Sequence, residues 1–250
     1  MGVARLRRAA WPYPLWIAHR GAGKLAPENT LAAFRVGAQH GYRGYECDVK
    51  LSRDEVAFLL HDDTLERTSN TSGMASDRDW AELSQLDAGG WHSRAFAGEP
   101  LASLAAIAAY CLRNGQALNI EIKPSPGHER RTGEVVAREA ARLWAGQAVP
   151  PLLSSFKPES LAGAMAGAAQ LPRALLLDTL WDGWFECAQA LACVAVVANH
   201  TLLDRALVER LHGSGLRALA FTVNDDASAK RLLGLGLDGL ITDAVDRFVP

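Results

Sequence analysis

Short apolar runs alternate along this chain with longer stretches in which apolar residues recur at helical spacing. That alternation predicts a parallel α/β sheet. Strands are expected at 15–18, 44–49, 56–60, 118–122, 152–155, 174–177, 194–198, 218–223 and 239–242. Helical patterns fill most of the gaps between them. Glu28-Asn29-Thr30 opens the first helix, with Asn29 or Thr30 as the N-cap ahead of Leu31-Ala32-Ala33-Phe34. Segments 202–211 and 227–235 read the same way, and the alanine-rich 162–169 is adequately explained as helix. No fixed-period repeat or low-complexity tract interrupts the pattern.

Nine strands are one too many for an eight-stranded barrel. Only six residues separate Val49 from Val56, too few for a crossover helix. A hairpin turning near Arg53-Asp54-Glu55 therefore sends 56–60 back antiparallel and sets His61 roughly opposite Asp48. From about 64 to 109 the strand–helix alternation lapses, and Trp80, Trp91, His92 and Phe96 appear. This stretch reads as a compact insertion that closes over one side of the sheet rim.

Composition narrows the class without choosing a function. At 250 residues, 49% hydrophobic and 22% charged, the chain is an ordinary globular protein, the size of one α/β barrel or of two small domains. A net charge of −2 offers no electrostatic case for nucleic acid. Arg5-Leu6-Arg7-Arg8 reads as a solvated arm. Cys47, Cys111, Cys187 and Cys193 lack metal-site or redox spacing, which fits a reducing compartment. Pro12 and Pro14 break any secretory signal, and no run approaches the ~18 apolar residues of a membrane span. These features together predict a cytoplasmic protein.

Chemistry concentrates at strand ends: His19-Arg20-Gly21, Glu46-Cys47-Asp48, His61-Asp62-Asp63 and Glu121-Ile122-Lys123-Pro124. Side chains on a strand alternate with period two. Glu46 and Asp48 therefore share one face, as do Glu121 and Lys123. Three carboxylates at one spot raise one another's pKa unless a cation joins them, and an all-oxygen set favours Mg²⁺, Ca²⁺ or Mn²⁺ over zinc. Arg20 can grip phosphate through a bidentate fork. Two histidines could divide proton transfers to nucleophile and leaving group. The inventory suits metal-assisted cleavage of a phosphate ester. Gly21-Ala22-Gly23-Lys24 fails as a Walker A loop, no Gly-x-Gly-x-x-Gly follows a strand, and Ser154-Ser155-Phe156 lacks the glycines of a nucleophile elbow. Asp243 reads equally as a helix N-cap or a site residue.

In this order the motifs resemble the glycerophosphodiester phosphodiesterase family. The stretch from His19 through Pro27-Glu28-Asn29-Thr30 to Ala33 carries most of the likeness. Leu59-Leu60-His61-Asp62-Asp63-Thr64-Leu65-Glu66-Arg67-Thr68, Ile120–Pro124, Leu152–Phe156 and Thr222-Val223-Asn224 extend it. The resemblance implies a TIM-type (β/α)8 barrel over residues 1–250 with a small inserted subdomain. It implies a divalent cation on Glu46, Asp48 and Glu121, with Mg²⁺ the first choice and Ca²⁺ or Mn²⁺ alternatives. His19 and His61 become general acid and base, Arg20 and Lys123 contact phosphate, and Phe221 stands near the alcohol. The implied reaction converts glycerophosphodiesters to sn-glycerol 3-phosphate and an alcohol such as choline or ethanolamine. The alternatives are a lysophospholipase D-type phosphodiesterase and a non-catalytic barrel that binds phosphate esters. The implied partner is a small-molecule substrate, without nucleic acid or stable membrane association; a homo-oligomer is left open. Three departures stand out: Asp54-Glu55 where the family usually has Asp-Gly, Leu101-Ala102-Ser103-Leu104 in place of Pro-Thr-Leu, and Phe221 where Trp or Tyr is common. The second departure is expected to loosen the exit from the insertion.

Overall fold

A computed structural model describes residues 11–250, so the expectation for Arg5-Leu6-Arg7-Arg8 lies outside the described residues. The elements run β1 (Trp16–Ala18), α1 (Leu31–Gln39), β2 (Gly44–Leu51), β3 (Ala57–Leu59), α2 (Trp80–Leu83) and α3 (Leu104–Arg113). They continue with β4 (Ala117–Ile122), α4 (Glu129–Leu143), β5 (Leu152–Ser155), α5 (Pro158–Gly167), β6 (Arg173–Leu177) and α6 (Trp184–Ala190). The last are β7 (Ala195–Asn199), α7 (Arg205–Gly213), β8 (Arg217–Phe221), α8 (Asp226–Leu235) and β9 (Gly239–Thr242). Every expected strand is present, with ends within two residues of the sequence reading.

Eight of these strands pair in parallel, and the β1–β2 pairing closes them into a ring. The ninth, β3, pairs antiparallel with β2 through Val49↔Leu59, Lys50↔Phe58 and Leu51↔Ala57. The architecture is the TIM-type (β/α)8 barrel. It follows from strands whose two faces are both apolar. Ile17, Leu152, Leu176, Val197, Leu219 and Ile241 fill the interior, while the opposite faces pack against the helices. Thr30 caps α1 by accepting from Ala33 N at 3.3 Å, which leaves Asn29 free for another task. The β2–β3 register continues with Leu60 N donating to Asp48 O at 3.1 Å. Asp48 thus faces Leu60, and His61 lies one step beyond.

Between β3 and α3 the chain makes its own small core from Phe58, Leu60, Leu65, Leu83 and Leu101. Its exit is held rather than loosened. Leu59 N donates to Ala102 O at 2.9 Å, and Ser103 caps α3 through Ala106 N. The barrel's outer layer resumes at Leu104. All four cysteines are unpaired. No helix among the described residues is long and apolar enough to cross a membrane.

Candidate active site

Parallel register assembles the acidic cluster. Asp48 pairs directly with Glu121 and Glu46 with Asn119, so β2 and β4 present their carboxylates side by side at the carboxyl-terminal end of the barrel, where TIM barrels place their sites. One ligand atom from each of Glu46, Asp48 and Glu121 lies within 4.8 Å of the others, and all three residues are buried. Glu46 Oε1, Asp48 Oδ1 and Glu121 Oε1 are each buried without a geometrically good hydrogen bond. Lys123 Nζ lies 4.0 Å from Asp48 Oδ1 and 3.4 Å from Glu121 Oε1. Three buried carboxylates facing one another with so little compensation are costly unless a further cation joins them. A hard divalent ion fits this donor set.

The other oxygens of the cluster are engaged by the β1–α1 loop. Arg20 N donates to Glu46 Oε2 at 3.0 Å. Asn29 Nδ2 donates to Asp48 Oδ2 at 2.8 Å, and its Oδ1 accepts from Asp48 N at 3.1 Å. Both Arg20 (φ +52°) and Asn29 (φ +60°) sit in the left-handed region, a conformation that these bonds hold in place. The Arg20 side chain reaches Asp48 Oδ2 at 3.1 Å and Glu28 Oε1 at 2.9 Å. Gly23 explains the glycines of this loop: a Cβ there would stand 2.1 Å from Asp243 O. That close approach brings Asp243 beside His19.

Each histidine is oriented through Nδ1. His19 Nδ1 lies 2.6 Å from Asp243 Oδ1, and its Nε2 lies 3.7 Å from Glu46 Oε2. His61 Nδ1 lies 2.7 Å from Asp62 Oδ1, and its Nε2 lies 3.0 Å from Lys123 Nζ. A lysine ammonium has only donors to offer, so His61 Nε2 is the acceptor and Nδ1 carries the proton shared with Asp62. Burial, reinforced by Arg20 and Lys123, lowers the His61 pKa. Burial raises Glu46 well above the carboxylate range, with Asp48 and Glu121 adding to it, and pushes Glu121 up to about 7. Burial also pushes Asp48 up, but Arg20 and Lys123 outweigh it and hold Asp48 below its ordinary value. The cluster therefore contains one ionised carboxylate and two that resist ionisation without a cation.

A cleft of about 400 Å³ opens beside the cluster, lined by Lys50, His61, Glu121, Lys123, Phe156 and Lys157 among others. His19, Arg20, Glu46, Asp48, His61, Glu121 and Lys123 thus converge. Phe221 is half-buried at the end of β8, edge-on to Phe156 with ring centroids 5.5 Å apart. Several neighbours escaped the sequence reading. Lys50, 2% exposed, donates to Asp63 Oδ1 at 2.6 Å, and period-two alternation from Asp48 already pointed to it. Asn29 looked like a helix cap. Glu28, Arg67 and Asn224 stand in the motifs that carry the resemblance, without a role attached to them there.

The sequence profile of the glycerophosphoryl diester phosphodiesterase family matches residues 19–247. The chain belongs to this family. Among its relatives, YhdW of Bacillus subtilis is 33% identical over 238 residues, covering 92% of this chain and 94% of that protein. The glycerophosphodiester phosphodiesterase of Caldanaerobacter subterraneus subsp. tengcongensis is 31% identical over 234 residues, covering 92% of this chain and 93% of its own length. A phosphodiesterase of Oleispira antarctica, solved with its product sn-glycerol-3-phosphate, superposes with a TM-score of 0.87 at 32% identity. That match covers 94% of this chain and 95% of the Oleispira chain. Family membership makes the convergence at the barrel mouth a candidate phosphodiesterase site and supports a divalent-cation role for the acidic trio.

Proposed function

We propose that this protein hydrolyses glycerophosphodiesters, among them glycerophosphocholine and glycerophosphoethanolamine, to sn-glycerol 3-phosphate and the free alcohol. The observation that carries the reading is the trio of buried carboxylates facing one another, underfilled in hydrogen bonds, beside two aspartate-oriented histidines. Glu46, Asp48 and Glu121 would hold the cation, Mg²⁺ in the first instance and Ca²⁺ or Mn²⁺ otherwise. Bound there, it would polarise the phosphate and neutralise developing charge.

Lys123, 3.4 Å from Glu121 Oε1 and 3.0 Å from His61 Nε2, is placed to hold a non-bridging oxygen within reach of the base. Arg20 grips another oxygen while Glu28 keeps its guanidinium facing the cluster. His61, neutral with Nε2 unprotonated, accepts a proton from the attacking hydroxyl. His19 carries out the complementary transfer to the departing alkoxide, its ring fixed by Asp243. Phe221 and Phe156 form an apolar wall for the rest of the substrate. The four unpaired cysteines support a reducing, cytoplasmic setting.

The test is release of glycerol 3-phosphate from glycerophosphocholine by EDTA-stripped protein, with and without Mg²⁺, Ca²⁺ or Mn²⁺. Release that only a metal restores is expected; no release with any metal would sink the proposal. Lysophosphatidylcholine belongs in the same assay, because Leu180 and Trp181 stand exposed on the β6–α6 loop at the same end of the barrel. A preference for that substrate would favour the lysophospholipase D reading.

A further inference from the structure

We propose that Arg67 is the positioning residue that couples the two sides of the site, holding His61 and Arg20 through a single guanidinium. The inference rests on the proposed hydrolysis for its functional consequence and on geometry for its content. Arg67 donates Nε to Asp62 Oδ2 at 2.5 Å and Nη2 to Asp62 Oδ1 at 3.0 Å. It donates Nη1 to Glu28 Oε2 and Nη2 to Glu28 Oε1, each at 2.8 Å. Each carboxylate in turn holds a site residue: Asp62 takes the His61 Nδ1 proton at 2.7 Å, and Glu28 takes Arg20 Nη1 at 2.9 Å. An unbroken chain of charge-assisted bonds runs Arg20–Glu28–Arg67–Asp62–His61 across the mouth of the barrel.

Stability alone does not single out this arrangement. An isolated ion pair on a side chain 43% exposed contributes little. What a bidentate network adds to stability does not require its ends to be the two site residues His61 and Arg20. Orientation does explain it. A planar fork can meet two carboxylates bidentately, which an ammonium cannot. With Asp62 fixed, His61 keeps its proton on Nδ1 and its free Nε2 toward Lys123. With Glu28 fixed, Arg20 stays over Asp48.

Arg67 belongs to the segment that follows β3, and the same segment is fastened to the β1–α1 loop at other points. Glu99 Oε1 accepts from Ala32 N at 2.9 Å, His92 Nε2 lies 3.1 Å from Lys24 O, and Phe96 packs on Ala22, Ala26 and Ala33. The insertion thereby sets the relative placement of the proposed base and the proposed phosphate ligand.

The test compares Arg67→Lys with the wild type in three measurements. With glycerophosphocholine and saturating Mg²⁺, kcat/KM falls roughly tenfold to a hundredfold, the size expected of a small misplacement, while Tm barely moves. In a double-mutant cycle, Glu28→Gln and Asp62→Asn fail to multiply by at least about threefold when Arg67 is present and multiply independently in Arg67→Lys. In NMR spectra of ¹⁵N-histidine-labelled protein, His61 is the Nδ1–H tautomer in both proteins, because Lys123 still donates to Nε2. Its Nδ1 proton resonates downfield in the wild type, held to a fixed Asp62, and moves upfield or broadens by exchange in Arg67→Lys. An unchanged Nδ1 proton resonance in Arg67→Lys, or independent Glu28 and Asp62 effects in the wild type, would overturn the proposal. The spectra need no turnover. If the wild type fails to cleave the diester, the hydrolytic reading falls, and the Nδ1 proton resonance alone decides the role of Arg67.

Discussion

Asp243 and Asp62 perform the same service for two different histidines. Each accepts from Nδ1 and leaves Nε2 facing the acidic cluster or the cleft. Asp243 is itself fixed, because Asn224 Nδ2 donates to its Oδ2 at 3.0 Å and Asn224 Oδ1 accepts from its N at 2.8 Å. Removing a positioned acid or base costs ~10²–10⁴ in rate, so His19→Ala and His61→Ala each lower kcat by about that factor with folding retained. Asp243→Asn leaves the imidazole but removes the negative charge that faces the ring when it carries the proton it must donate. It lowers kcat by at least about tenfold at unchanged Tm. Steady-state kinetics beside thermal melts checks both, and full turnover in any of the three would remove that residue from the scheme. The contrast between these residues shows what a sequence can reveal. Glu46, Asp48 and Glu121 lie within strands, where alternation decides which side they face, and His19, His61 and Lys123 follow strands by one or two residues. Asp243 meets His19 from 224 residues away, and Arg67 joins nearby Asp62 to Glu28, 39 residues away; the long-range halves of these contacts are what no local pattern encodes.

The β2–β3 turn shows an element accepting a residue that its geometry disfavours. The turn bonds Glu55 N to Ser52 O and Ser52 N to Val56 O, and Glu55 adopts φ +61°. Glycine would suit that conformation. Glutamate is anchored there instead by Arg131 of α4, which donates Nε to Oε1 and Nη2 to Oε2 at 2.7 and 2.6 Å. Glu55→Ala and Glu55→Gly both lose this anchor, and they differ chiefly in backbone freedom. The glycine variant is expected to be more stable than the alanine variant by about 1 kcal/mol in urea unfolding; equal stabilities would show that the turn is unstrained. The α4–α5 contact imposes the opposite demand. Gly163 lets the helices touch, and a Cβ there would fall 2.0 Å from Arg130 O. Gly163→Ala therefore destabilises by about 1–3 kcal/mol, despite the better helix propensity of alanine. The sequence disclosed α5 as an alanine-rich helix. The trace of the contact is the four-residue spacing of Gly163 and Gly167, both of which meet α4, and that trace is hidden among the alanines of the helix.

At the scale of the whole barrel, the acidic cluster ties stability to pH and to metal. Without a cation, burial beside Asp48 raises Glu121 from an ordinary glutamate value to about 7, and Glu46 is raised as well. Between about 4.5 and 7 the native state then holds protons that the unfolded chain has already released, so native stability falls as pH rises through that window. The shift in Glu121 alone corresponds to on the order of 3 kcal/mol. Asp62 and Asp243 act at the other end. Burial raises Asp243, but the bond to His19 outweighs it; the bond to Arg67 lowers Asp62. Their contribution is complete above the usual aspartate value and is lost as pH falls through their lowered ones. His61, whose pKa burial lowers, acts against Glu46 and Glu121 below the ordinary histidine value, so the fall in stability of metal-free protein is what the two glutamates contribute beyond His61. A divalent cation must displace the protons on Glu46 and Glu121 to bind. Its stabilisation is accordingly small near pH 5.5 and grows as pH rises through about 7, where Glu121 releases its proton, with the raised Glu46 adding to the rise. Thermal melts in EDTA and in saturating Mg²⁺ at pH 5.5, 6.5 and 8 separate the two curves. A Tm in EDTA that does not fall from pH 5.5 to 8, or a Mg²⁺-induced rise of the same size at every pH, would mean that the three carboxylates neither share their protons nor receive the ion. Glu121→Gln sharpens the comparison. It removes one proton-linked site and one ligand together, so the EDTA curve should flatten and the Mg²⁺ shift should shrink in the same variant.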